Sequence, residues 1–347
     1  MSSEIKTVDT SKGVATLVTL TNSVGASVTL CSIGAGIVAI NVPDRNGKLA
    51  DVVIGYPEPE SYFYDGPCSG KVPGRYANRI ANGDLVVDGK KYQLAINNGP
   101  NALHGGPEGF QNQIWETKVD GDQVTFTYRA KDGEENYPGN LVAQAIYTWT
   151  DDCELKLELK AEADAPTVIN LTNHAYFNLA GESSGSVLKQ LLKLNASRFL
   201  PTDETLIPSG ELAPVAGTPM DFTEMHEIGR DMGADYKPLI NAKGYDHCFV
   251  IDDYEPGKEK VAAVLEDPES GRVLEVVTDQ PGIQVYAGNF LEGSPMGKSG
   301  RSYHDYDAVA LECQDFPDAP HQPGFPSTVL RPGEEYDRTI RFKFSVK

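Results

Sequence analysis

The chain has 347 residues, of which 40% are hydrophobic and 23% charged, an ordinary globular composition with enough apolar material for a large core. Its formal charge of −20 and pI near 4.7 argue against nucleic acid and anionic membrane surfaces, whose phosphates need lysine and arginine. The same balance disfavours a phosphorylated ligand unless arginines cluster locally; otherwise it serves solubility.

The N-terminal segment lacks the apolar run of a secretory signal, and no later stretch is long and apolar enough to span a bilayer. Five scattered cysteines, Cys31, Cys68, Cys153, Cys248 and Cys313, never form a Cys-x-x-Cys pair. They predict free thiols in a reducing compartment, and so a cytosolic location, with no disulfide frame or zinc site. The glycosylation sequons at Asn170 and Asn195 are then chance matches.

Strands are predicted at 14–20 and 26–31, followed by 37–42 and 52–54 on either side of Asn46-Gly47. The loop 69–83 is broken by glycine and proline and presents Asn78 and Arg79. It is not a phosphate-binding loop, because the Gly-x4-Gly-Lys-Ser/Thr order is absent and no helix follows. An arginine fork can fix neighbouring hydroxyls or hold a carboxylate; an ordinary surface ion pair is the plainer reading. At 85–94, Asp88-Gly89 between two short strands reads as a type I′ hairpin turn. His104 precedes Gly105-Gly106, where backbone can approach a ligand closely, although a turn histidine satisfied by backbone fits equally well. Asp120-Gly121 marks a further hairpin before strands at 123–128, 142–149 and 154–162.

The segment 168–179 alternates as a strand does. Asn170, Thr172, His174, Tyr176 and Asn178 share one face, and Ile169, Leu171, Ala175, Phe177 and Leu179 the other, with Asn173 the polar exception. A row of amide, hydroxyl and imidazole groups suits a polyhydroxylated ligand; the alternative is a solvated sheet face carrying one satisfied histidine. Short helices are predicted at 186–193 and 222–231, the second capped by Asp221. Asp246 and His247 stand at the entry to a strand at 248–251, where a carboxylate also serves as a turn former. Strands follow at 260–265, 272–277, 283–287, 307–313 and 338–346. In the 283–287 strand Gln284 and Tyr286 share a face; in the 307–313 strand Ala308, Ala310, Glu312 and Gln314 do. A glutamate beside two alanines has room in front of it for a ligand. His226, His304 and His321 lie in polar or proline-rich stretches and carry no assigned role. No three histidines have metal-ligand spacing. Many short strands, few helices and no linker predict one all-β domain, residues 1–347, built as a sandwich or barrel.

The segments 74–80, 101–106, 171–179, 244–247, 282–286, 311–314 and 330–336, taken in order, resemble the aldose 1-epimerase (galactose mutarotase) family. One departure is Pro73, where an aliphatic residue is expected. The resemblance implies a large antiparallel β-sandwich of the galactose mutarotase type, with its site in a groove of one sheet and no metal or organic cofactor. By motif position Glu312 would be the general base and His174 the general acid. Asn78, Arg79, His104, Asp246 and Gln284 would hold sugar hydroxyls, and Tyr176 would line the site.

The activity implied is interconversion of the α- and β-anomers of free aldohexoses such as galactose and glucose. A base takes the anomeric hydroxyl proton while an acid protonates the ring oxygen, the ring opens, and reclosure on the other carbonyl face reverses both transfers. The histidine must be protonated for this, and Asp246 is a carboxylate that could raise its pKa. Three alternatives are a hexose-6-phosphate 1-epimerase, a glycoside hydrolase pairing Asp246 with Glu312, and a non-catalytic sugar-binding protein.

Overall fold

In the computed structural model, which describes residues 2–347, the strand Leu141–Trp149 shows how side-chain alternation sets the sheets. Leu141, Ala143, Ala145, Tyr147 and Trp149 are buried, while Val142, Gln144, Ile146 and Thr148 are half-buried. A one-residue slip would bring Gln144 and Thr148 inward and turn Tyr147 and Trp149 out, at about 1.5–3 kcal/mol for each large apolar side chain exposed. The strand pairs in register with Gln123–Ala130 and Glu154–Ala163, and the sheet extends to nine strands. The last strand of the chain, Tyr336–Val346, lies in the middle of this sheet, between Glu154–Ala163 and Arg272–Thr278.

Two further antiparallel sheets complete the sandwich. The first is an N-terminal five-stranded meander over residues 2–51. The second has six strands in the order Tyr176–Phe177, Val309–Gln314, Gly282–Tyr286, Asp246–Val250, Arg198–Phe199 and Ala213–Pro214. One apolar cluster joins all three sheets, with Val28 and Ile40 from the first, Trp149, Leu157 and Phe342 from the large one, and Phe249, Val285 and Leu311 from the six-stranded one. Every residue of Val309–Gln314 is buried, because loops cover the face of this sheet that the core does not. Those loops make the site.

The expected all-β sandwich is therefore present. The Asp88-Gly89 turn has both residues at positive φ, 50° and 77°, between the paired Val87 and Lys90, as type I′ requires. Three local readings were wrong. Residues 186–193 are not helical: Leu191–Leu194 pairs with Lys260–Glu266 and buries Leu192 and Leu194 in the main core, so tertiary packing overrides a helical spacing of leucines. Residues 222–231 are not helical either. Asp221 Oδ1 accepts from the N–H and hydroxyl of Thr223, making a local turn, and His226–Glu227 adds an edge strand. The one α-helix among the described residues is Lys237–Ala242, with Pro238 in its first turn.

Third, 168–179 is not a continuous strand: only Thr167–Val168 and Tyr176–Phe177 are in ladders. Its polar row is mostly internal. Asn170 Nδ2 donates to the carbonyls of Ala77 and Asp315, Asn178 Nδ2 to those of Gly185 and Asp307, and Thr172 is fully buried. Asparagine side chains here bond the backbone of neighbouring loops, which competes with a regular ladder. The solvated-face alternative also fails, since His174 is only 5% exposed.

Candidate active site

Glu312 is placed by strand register. On the covered face of the six-stranded sheet it stands opposite Gln284, which in turn stands opposite Cys248. Asp246, at the start of the next strand, pairs with Tyr286. Gln284 Nε2 donates to Asp246 Oδ1 at 2.6 Å. Ala308 and Ala310 do not leave an open space beside Glu312, as their size suggested. They pack in a small cluster with Tyr56, Tyr62, Tyr176 and Tyr303, so small side chains there admit aromatic rings.

The opposite wall has almost no regular structure. His174 is fixed through its main chain: its N–H donates to Lys71 O and its carbonyl accepts from Gly70 N–H, both at 2.9 Å. Asn170 is held likewise between Arg75 and Ala77. Asn173 locks the crossing from inside, donating Nδ2 to Gly70 O at 2.7 Å and to the Tyr147 hydroxyl at 3.1 Å. The Tyr176 ring lies 4.9 Å from that of His174, and its hydroxyl donates to Pro67 O.

Asn78 and His104 clasp each other, both at positive φ. His104 N–H donates to Asn78 O, and Asn78 N–H donates to His104 Nδ1 at 3.1 Å. An Nδ1 that accepts leaves the proton of the neutral ring on Nε2, as a donor. Arg79 directs Nε to Asn98 Oδ1 at 3.1 Å and places Nη2 at 3.7 Å from Asp246 Oδ2.

These walls enclose a cavity of about 430 Å³ bordered by Asn78, Arg79, His104, His174, Tyr176, Asp246 and Glu312. Seven of the eight expected residues thus meet in one place. Gln284 is the exception: it is buried behind Asp246, does not border the cavity, and touches the site through that carboxylate. Residues given no role from sequence complete the lining, among them Asn98, Glu204, Thr205, Leu206, Asn241, Tyr286 and Phe290. The sequence places Tyr286 on one face with Gln284 without a role in the site, and Phe290, 59% exposed, could have been found from an aromatic set in a Gly-Asn loop. The 204–206 wall carries no such signal. It is brought in by Asn101 Nδ2, which donates to Thr205 O.

At the base of the cavity His174 Nε2 lies 3.5 Å from Glu312 Oε1, and Glu312 Oε2 has no hydrogen-bond partner. Burial pushes the Glu312 carboxyl well above the usual range, and the charge of Asp246 adds to this against the opposing pull of Arg79. Burial also pushes His174 down, to about 4. Asp246 does draw the histidine upward, as expected, but desolvation outweighs it. His104 is held well below its ordinary value by burial, then by the charges of His174 and Arg79.

Lys71 and Arg75 belong to the same loop as Arg79 but do not reach the cavity. Lys71 is buried against Asp65 and Tyr62 O. Arg75 donates to the carbonyls of Pro138 and Gly139 and to the Thr167 hydroxyl.

Residues 16–343 match the sequence model of the family described as aldose 1-epimerase. The chain belongs to that family. It is 47% identical to the galactose mutarotase of Homo sapiens over 92% of this chain and 91% of that protein. With the aldose 1-epimerase of Escherichia coli K12 it shares 39% identity over 94% of each. Among solved structures, galactose 1-epimerase from Lactobacillus acidophilus superposes with a TM-score of 0.86 at 28% identity, covering all of this chain and 99% of its own. An aldose epimerase homologue from C. elegans superposes at 0.85 and 32% identity, covering 99% of both. Within this aldose 1-epimerase frame Pro73, the departure noted in the loop motif, is buried, and Asn78 and Arg79 still border the cavity.

Proposed function

We infer that the protein is an aldose 1-epimerase, an isomerase that interconverts the α- and β-anomers of free aldohexoses, galactose and glucose foremost. The observation that carries the reading is the approach of Glu312 and His174 to 3.5 Å at the buried base of the cavity. O1 and O5 of a pyranose are both bonded to C1, so two groups this close can serve both oxygens. Glu312 takes the O1 proton as His174 gives a proton to O5. The C1–O5 bond breaks, C1=O1 forms, and rotation about C1–C2 followed by reclosure returns both protons.

The pKa directions define how the pair enters the reaction. A protonated Glu312 with a neutral His174 holds the same proton as a Glu312 carboxylate with an imidazolium, displaced across one contact. Burial favours the first arrangement. A bound sugar favours the second, because O1–H donates to the carboxylate and O5 accepts from Nε2–H. Both limbs of a bell-shaped pH–rate profile then belong to the pair, not to either residue alone.

Arg79, Asn78, His104 and Asp246 are assigned to the sugar hydroxyls, with Tyr176 as a wall. Gln284 acts through Asp246, whose carboxylate it orients. The cytosol suits five thiols that are all free and buried, and no helix among the described residues is long and apolar enough to cross a membrane. A single domain suits the one apolar cluster that all three large sheets share.

Free sugars are favoured over their 6-phosphates because, among the described residues, Arg79 is the only arginine or lysine bordering the cavity, against Glu204, Asp246 and Glu312. A phosphate would meet net negative charge without the donors it needs. Polarimetry of freshly dissolved α-galactose should show accelerated mutarotation, and kcat/KM for glucose should exceed that for glucose 6-phosphate by at least about tenfold, or roughly 1.4 kcal/mol. No acceleration on any free aldohexose overturns the activity; a preference for the phosphate overturns the substrate class.

A further inference from the structure

Among the described residues Arg79 is the one lysine or arginine at the cavity, and what aims it lies outside the site. The short strand Arg79–Ile80 makes only a two-residue ladder with Ala102–Leu103, after which the chain turns sharply with Asn82 at φ 53°. The segment 316–321 closes over this stretch. Asp318 N–H donates to Arg79 O at 2.9 Å, and Ala81 N–H donates to Asp318 Oδ1, also at 2.9 Å. One residue thus clips the backbone on both sides of Ile80. The Tyr76 hydroxyl adds a second fastening, donating to Phe316 O and accepting from Ala319 N–H.

Asp318 is itself held. It is 1% exposed and sits at φ 55°, in the left-handed region. Its Oδ1 also meets His321 Nδ1 at 2.6 Å, so one oxygen joins the partly exposed histidine to the Ala81 amide. The hydrogen bond His321 donates to Asp318 holds the His321 pKa above its ordinary value, with Asp84 contributing. A positively charged imidazole makes this a charge-assisted bond, shorter and stronger than a neutral one.

We propose that Asp318, braced by His321, is a positioning residue for sugar binding: it fixes the backbone of residues 79–81 and thereby the direction in which Arg79 enters the cavity. Neither residue borders that cavity. The inference rests on the reading of Arg79 as a sugar-binding group. It requires that loosening the clip act on affinity, and only through Arg79.

The test measures galactose binding by calorimetry alongside polarimetric kcat and KM, so that it reads position even in a protein without turnover. Asp318→Ala should weaken galactose roughly tenfold in both Kd and KM, with kcat within about threefold, since misplacing a binding group costs affinity steeply. Asp318→Asn keeps an oxygen for Ala81 and tolerates the left-handed backbone, and should stay within about threefold of native. In an Arg79→Ala background, Asp318→Ala should add less than about twofold, because coupled residues are not additive.

Unchanged affinity in Asp318→Ala overturns the proposal, as does full additivity with Arg79→Ala. If Asp318→Ala fails to fold, His321→Ala carries the test. A roughly threefold loss that vanishes in the Arg79→Ala background supports the proposal, and no loss overturns it. A native protein that binds galactose without turning it over removes the epimerase activity and leaves this inference standing. One that does neither removes both.

Discussion

The two walls of the site are built on different principles. Glu312 and Asp246 sit on strands of one antiparallel sheet, whose register sets them opposite Gln284 and Tyr286. His174, Asn78, Arg79 and His104 come from segments with almost no ladder, crossed over one another by single hydrogen bonds. The sheet wall is over-determined: moving Glu312 would require a strand buried along its whole length to slip. The loop wall depends on a few contacts, each of which can be removed alone. The carboxylate is therefore the fixed partner, and the imidazole the one whose position the surroundings must maintain.

The largest effect expected is the loss of either group proposed to react. Glu312→Gln and His174→Asn keep much of each side chain's shape while removing its proton. Each should lower kcat by about 10²–10⁴-fold, roughly 3–5 kcal/mol of barrier, with KM changed far less. Near-native mutarotation in folded Glu312→Gln would mean that the sheet wall does not supply the base.

A smaller effect separates the walls by their neighbours. Asn173→Ala removes the bonds to Gly70 O and Tyr147 and should cost about 1–3 kcal/mol of stability. It should also lower kcat about tenfold, because the crossing that places His174 loosens. Cys313→Ala, next to Glu312 on the sheet and facing the core, should cost about 1 kcal/mol and leave kcat within about twofold of native. Equal losses of activity in the two variants, by polarimetry at a temperature where both are folded, would erase the distinction.

The smallest effect concerns acid stability. His104 and His174 on the loop wall, and His247 on the core side of the sheet, all have pKa values lowered first by burial, His174 and His247 to about 4. Each binds its proton more weakly folded than unfolded, so its contribution is whole above pH about 6.5 and is lost as pH falls toward 4. Buried carboxyls with raised values, Glu312 and Asp65 among them, act in the opposite sense, losing stability as pH rises. Subtracting a variant isolates one histidine. His247→Asn should remove about 1 kcal/mol per pH unit of the slope between pH 6 and 4.5, read from urea midpoints; parallel curves for variant and native protein would refute it.

Legibility followed the same division. The strands carrying Glu312 and Gln284 could be read from alternation, because side chains on a sheet obey a period of two whatever covers them. His174 was also singled out by alternation, but for a partly mistaken reason. The period in 168–179 is real, yet Asn170, Thr172 and Asn178 face neighbouring backbone and core instead of a ligand. A side chain's face can be inferred locally, whereas what lies against that face depends on segments a hundred residues away. The same limit hid the 204–206 wall, tied in by a bond from Asn101, and made residues 186–193 look helical when their leucines complete a sheet edge. The loop motifs around Asn78 and His104 drew attention through glycines and family resemblance, but their mutual clasp is a tertiary fact.

The main-chain crossing of 70–71 with 174 has a consequence for how such a protein can diverge. The two bonds that place His174 run from amide to carbonyl, and every residue but proline supplies both groups. Substitutions at 71 can rewrite local chemistry without erasing its attachment point, whereas Gly70, at φ 74° with the Ile37 carbonyl where a Cβ would stand, holds the path of the backbone as glycine. The imidazole's address is thus stored in the route of the chain, which Gly70 and Asn173 hold in place. A lineage that keeps Gly70 and Asn173 could alter residues around them and still deliver a histidine to the same carboxylate.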